Sequence, residues 1–114
     1  MRSDLTRAAP LFAALGDQTR LQLVARLGSG GPQSISRLAA ESVVTRQAVT
    51  KHLHALEAAG IARSRRSGRE SVWELRPAGL TEAKRYLDQI AAQWDTALAR
   101  LRRMVEDADH DREP

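Results

Sequence analysis

The sequence predicts a mainly α protein with one small β-hairpin, and three stretches predict it. Residues 45–60, TRQAVTKHLHALEAAG, repeat apolar side chains every three or four positions, the period of a helix. Residues 61–76, IARSRRSGRESVWELR, lose that period and read as two strands around a turn. From about residue 80 to 106 the apolar positions fall into heptads, the mark of a long helix that pairs with another. At 114 residues the chain is expected to be one domain. A chain this small buries only about two-thirds of its unfolded surface, so pairing with a second copy would help stabilise it.

In chain order, residues 5–15 form an amphipathic segment with Leu5, Ala8, Leu11, Phe12 and Leu15 on one side. Pro10 lacks an N–H and crowds the preceding turn, so this helix is expected to be short or kinked. Asp17 caps the next helix, which runs through Leu27 to Gly28 with Leu21, Val24, Ala25 and Leu27 inward. GSGGPQ, residues 28–33, is a loop by composition. Ser34 caps a short helix to about Ser42, with Ile35, Leu38 and Ala39 inward, and Ser42-Val43-Val44 turns into the helix of residues 45–60. Two short helices joined by about three residues have helix-turn-helix spacing.

Thr45 is the N-cap of that second helix and Gly60 its stop. Val49, Leu53 and Leu56 form its back, while Arg46, Gln47, Thr50, Lys51 and His54 form its front. Those front side chains, with Thr45, suit base edges and phosphate oxygens of duplex DNA. His52, beside Leu53, is expected to be a structural hydrogen-bonding group. The strands are placed at Ile61 to about Arg65 and at Ser71 to Arg76, around Arg66-Ser67-Gly68-Arg69. Ile61, Val72 and Leu75 point inward, and Trp73 is available to either face. Arg63, Arg65, Arg66 and Arg69 make the hairpin a basic wing, suited to phosphates or to a narrow minor groove.

The charge distribution supports this reading. The chain carries a net +4 and a pI near 10.6. Residues 43–76 hold seven Arg or Lys against three Glu, so the basic surplus sits on the helix-turn-helix and wing. The last helix starts between Pro77 and Thr81 and runs to about Glu106. Leu80, Leu87, Trp94 and Leu101 form one heptad register; Ala83, Ile90, Ala97 and Met104 form the other. Residues 1–106 are expected to form the DNA-binding domain with its terminal dimerisation helices, and residues 107–114 an acidic disordered tail. The expected dimer interface is Leu11, Phe12, Leu87, Ile90, Trp94 and Leu101. Trp94 has a second reading, as the lining of a small-molecule pocket between protomers.

Other classes are excluded or disfavoured. The absence of cysteine rules out disulfides and thiolate metal sites. No apolar run approaches the ~18 residues that span a bilayer, and MRSDLTRAAP lacks a signal-peptide core, so the expected location is the cytoplasm without membrane contact. No residues at catalytic spacing and no phosphate-cradling glycine loop point to an enzyme.

With these elements in order, the chain resembles the ArsR family of bacterial winged helix-turn-helix repressors. The resemblance covers about Leu11 to Met104. It rests on LGDQTRLQLVARL, on VTRQAVTKHLHALEAAGIARSRRSGRESVWEL and on the terminal helix. It implies a homodimeric repressor that binds a double-stranded operator. The family's familiar thiolate metal site falls on Ser34 and Ser36, and serine hydroxyls do not replace thiolates for a soft metal. The family's second site uses histidines on the terminal helix, and residues 80–106 contain none. The expectation is therefore a metal-independent member with no cofactor, open to an unknown small-molecule effector. Asp107, Asp109, His110 and Asp111 are read as part of the solvated tail. The alternative is a protein-interaction module pairing through its heptad helix, with the basic surface acting only to solubilise.

Overall fold

The computed structural model describes residues 2–112; the side chains of residues 1–5 and 111–114, Leu5 and Asp111 among them, and all of Glu113 and Pro114 lie outside the described part. Five helices and three strands follow in the order α1 (Arg2–Leu15), α2 (Gln18–Gly30), β1 (Gln33–Ser34), α3 (Ile35–Ala40), α4 (Arg46–Ala58), β2 (Ala62–Ser67), β3 (Glu70–Leu75) and α5 (Pro77–Arg112). The chain divides after Ala83 into two units. The first holds every element up to the start of α5, and the second is the rest of α5.

The first unit is built on one apolar cluster. Leu23, Leu27, Leu38, Val49, Leu53, Leu56, Ile61 and Trp73 are buried in it, and Val44, Leu75 and Leu80 pack against it. α2 turns out to bury Leu23 and Leu27, whereas Leu21, expected inward, is 51 % exposed. The run LQLVARL offers two helical registers; the one that reaches α4 takes Leu23, Leu27 and half-buried Val24. α2 also runs to Gly30, two residues past the expected stop. Ser29 Oγ there donates to the Ala25 carbonyl at 3.0 Å, and the break falls at Gly31 with φ of 72°.

α1 is one helix with Pro10 inside it, neither short nor broken. Leu11 is 4 % exposed and belongs to the core of its own protomer. Little of it is therefore left exposed for the dimer interface expected of it. Phe12 is half-buried against the same cluster.

The sheet has order β1-β3-β2, and all its pairs are antiparallel. β1 was not foreseen: two residues carry no period, and Gln33 and Ser34 become a strand only by pairing with Trp73 and Val72. The hairpin is longer than expected, with the turn reduced to Gly68-Arg69 between paired Ser67 and Glu70. Gly68 has φ of 65° and Arg69 does not, the pattern of a II′ turn with glycine first. Residues directly opposite share a face, so Ala62, Leu75, Ser64, Trp73 and Gln33 line the inner face. Val72, expected inward, lies on the other face with Arg65 and Ser34. Trp73 is 2 % exposed, and its buried indole N–H has no acceptor among the described residues.

α5 starts at Pro77, whose missing N–H costs nothing in a first turn. Gly79 is buried where the helix crosses the end of α4. A Cβ there would lie 2.9 Å from the Gly60 carbonyl carbon and 3.3 Å from Ile61 Cα. The second unit is a single helix. It continues to Arg112, past the Glu106 end expected from composition, because no glycine or proline stands between Gly79 and Pro114 to stop it. Residues 107–112 of the expected tail are thus helical.

Gly79→Ala should force the start of α5 away from Gly60. We expect a loss of about 1–3 kcal/mol in unfolding free energy, read as a lower urea midpoint with unchanged slope. An unchanged midpoint would contradict the close approach.

Candidate nucleic-acid interface

The front of α4 depends on its back. Val49, Leu53 and Leu56 are all 0 % exposed, so the helix is fixed in rotation about its axis. Thr45 caps it, its Oγ1 accepting from the Ala48 N–H at 3.1 Å. Thr50 donates its hydroxyl to the Arg46 carbonyl at 2.9 Å, leaving its oxygen able to accept. Arg46, Gln47 and Lys51 are exposed, and among the described residues no ion pair or side-chain hydrogen bond engages them. Three polar side chains thus stand ready at the N-terminal half of the helix without first breaking an internal bond.

The C-terminal half differs. His54 lies 3.3 Å from Glu57 and packs edge-on against Trp73, with ring centroids 5.4 Å apart and planes at 82°. It thus bridges its own helix and β3 of the wing.

His52 is a fastening. Its Nδ1 accepts from Arg20 Nε at 3.2 Å, and because a guanidinium only donates, a neutral His52 carries its proton on Nε2. Asp17 Oδ1 is 3.9 Å from the same nitrogen, beyond hydrogen-bond reach. Arg20 also donates to the Ala14 carbonyl at 3.4 Å, and its own N–H is capped by Asp17 at 3.1 Å. One arginine therefore ties the end of α1 and the start of α2 to the middle of α4. A second brace holds α3. Arg26 of α2 donates to the Leu38 carbonyl at 2.9 Å and the Arg37 carbonyl at 3.3 Å, and pairs with Glu41 at 3.0 Å. Gln33 Nε2 returns to the Arg26 carbonyl at 2.9 Å.

On the wing the four arginines are not equivalent. Arg63 and Arg65 both approach Glu74 Oε1, at 3.0 and 3.6 Å, so one carboxylate offsets part of their charge. The cross-strand register Arg63↔Glu74 produces this. Arg66, in register with Ser71, and Arg69 in the turn have no acidic partner among the described residues. The expected site residues thus separate into two groups. Arg46, Gln47, Lys51, Arg66 and Arg69 are free; Thr45, Thr50, His54, Arg63 and Arg65 already hold internal contacts.

A helix-turn-helix with an exposed basic helix front and an arginine-bearing hairpin is the architecture of a winged-helix DNA-binding domain. Comparison with known proteins agrees. A helix-turn-helix domain family matches residues 15–65. The chain is similar to the HTH-type transcriptional regulator Rv2034 of Mycobacterium tuberculosis, with 34 % identity over 100 residues, 88 % of this chain and 90 % of that protein. Among solved structures it is similar to an ArsR-like transcriptional regulator from Rhodococcus sp. RHA1, with 40 % identity and a TM-score of 0.75 over 88 % of this chain and 93 % of that one. It is also similar to the homodimeric winged helix-turn-helix DNA-binding domain of Mb0332 from Mycobacterium bovis, at 26 % identity and a TM-score of 0.62 over 78 % and 81 % of the two chains. The chain belongs to the ArsR family of winged helix-turn-helix transcriptional regulators. No helix among the described residues is long and apolar enough to cross a membrane.

The Arg20 N–H bond holds the Asp17 carboxyl below its ordinary 3.8; the charges of His52 and Arg20 add to this and desolvation opposes it. A depressed folded pKa stabilises above the unfolded value and is lost as pH falls through the folded one. Asp17→Asn keeps a capping acceptor without the charge. It should therefore lose less stability than the parent between about pH 5 and pH 3, measured by urea unfolding. Identical losses would contradict the assignment.

Proposed function

We propose that the chain is a homodimeric, sequence-specific repressor that places α4 of each copy in the major groove of a double-stranded operator. The observation that carries this is the group Arg46, Gln47 and Lys51, exposed and unpaired on a helix whose opposite side is wholly buried. Arg46 suits the paired acceptors of guanine, Gln47 the acceptor and donor of adenine, and Lys51 a phosphate at the groove edge. Arg66 and Arg69 supply the wing's contact with the backbone, and Arg63 and Arg65 join it once released from Glu74. Two such helices would enter successive major grooves about 34 Å apart.

Three further observations support the rest of the reading. The Mb0332 domain is homodimeric, and here Leu87, Trp94 and Leu101 lie more than half exposed along residues 84–112. Metal-independence is supported by Ser34, whose Oγ is occupied as the cap of α3, accepting from the Arg37 N–H at 3.2 Å. The relatives are transcriptional regulators, which supports a binding protein over an enzyme.

Duplexes selected from a random pool should compete at least tenfold better than scrambled duplexes of equal length. If roughly six to ten phosphates are neutralised, affinity should fall about 10³–10⁵-fold between 50 and 200 mM salt. Equal affinity for both duplexes would overturn the sequence-specific reading. Arg66→Ala or Arg69→Ala should weaken binding to every duplex and lower the salt slope by about 1, with a smaller effect from Arg63→Ala. Slope measurements by fluorescence anisotropy check this, and equal effects from all three would remove the distinction drawn by Glu74. Trp94→Glu should convert a dimer into a monomer by sedimentation and weaken operator binding with it.

A further inference from the structure

We propose that His54 grips a backbone phosphate by taking up a proton as the complex forms, so that affinity for DNA falls as pH rises. This rests on the DNA-binding reading of α4 and adds a contact that pH controls. At about 100° per residue, His54 lies within about 60° of Gln47 and Lys51 around the helix, on the same front. It stands about 10 Å beyond Gln47 along the axis, where a helix that enters the groove by its N-terminal half meets the backbone at the groove edge. Its side chain is 61 % exposed, and the ring is held from two sides. Glu57 Oε1 lies 3.3 Å from Nδ1, and Trp73 of β3 packs edge-on at 5.4 Å.

A carboxylate only accepts, so neutral His54 carries its hydrogen on Nδ1 and leaves Nε2 a bare acceptor. His52 has the opposite arrangement, its Nδ1 accepting from Arg20. Among the described residues Nε2 of His54 meets no partner. A phosphate oxygen is an acceptor too, so the neutral ring would face it lone pair to lone pair. Protonation makes Nε2 a charged donor toward the phosphate while Nδ1 stays with Glu57. Glu57 favours the charged ring. Lys51, one turn back, and Arg66, the next residue of β2 on the sheet face of Ser64 and Trp73, oppose it. Phosphates neutralise those two cations, so the opposition falls away in the complex. His52, with Arg20 and Asp17, lies about 200° round α4, on its other side. A charged form favoured in the complex gives affinity that is present at low pH and lost as pH rises through the range where histidine titrates.

The test titrates the full chain with a duplex selected from a random pool, at fixed ionic strength between about pH 6 and pH 8, by fluorescence anisotropy. The parent should bind about tenfold tighter at the acid end, and its salt slope should be steeper there by about 1–2. His54→Gln keeps a neutral donor and removes the proton, so most of the pH dependence should vanish, with affinity matching the parent at the alkaline end. An undiminished dependence in His54→Gln, or a flat parent, would overturn the proposal. Glu57→Gln should move the same dependence to lower pH without abolishing it, and an unmoved profile would contradict the part given to Glu57. The imidazole 15N shifts of His54 should show more of the charged ring with the duplex than without it at one pH. An unchanged ring in a confirmed complex overturns this proposal alone, whereas no binding to any duplex overturns the DNA-binding reading beneath it.

Discussion

Everything this protein presents to a partner depends on the burial of three side chains, Val49, Leu53 and Leu56, on the back of α4. Each fully buried aliphatic side chain contributes about 1.5–3 kcal/mol, and the three lie on one helical face, so they fix rotation as well as position. Rotation matters because the front residues lie about 100° apart per step. A turn of one position would move Lys51 off that front and bring Thr50 or His52 in its place. The polar fastenings are secondary in energy and specific in direction: Arg20 holds α4 through His52, and Arg26 holds α3 through its C-terminal carbonyls.

The electrostatics follow a division of labour within the first unit. Cations that stabilise the fold, Arg20 and Arg26, are half-buried and held by internal hydrogen bonds. Cations on the helix front and wing tip are exposed and unengaged among the described residues, so contact with a polyanion would break no internal bond. Arg63 and Arg65 fall between the two, because Glu74 shares their charge.

How far the sequence disclosed this structure depended on the strength of the local signal. α4 was legible to the residue, because a cap, an apolar period and a glycine stop agreed at Thr45, Leu53 and Gly60. The wing was legible as arginines around a glycine, though its turn proved shorter. β1 was illegible, since two residues have no period and their strand character comes from Trp73 and Val72 across the sheet. α2 was misread at Leu21 because leucines two apart fit two helical faces, and only the position of α4 chooses Leu23. An amphipathic first helix does not say whether its apolar side meets its own core or another copy; Leu11 packs in its own core. The split of the wing arginines needed the register Arg63↔Glu74, which pairing sets and composition does not.

The account stands on α4 and the wing being the surfaces that meet DNA. Titrating uniformly 15N-labelled protein with a selected duplex and following its amide resonances tests this most directly. The account predicts that the largest shifts fall on residues 45–54 and 63–69. Shifts concentrated on α2 and α3, with the amides of Arg46, Gln47 and Arg66 unmoved, would contradict it.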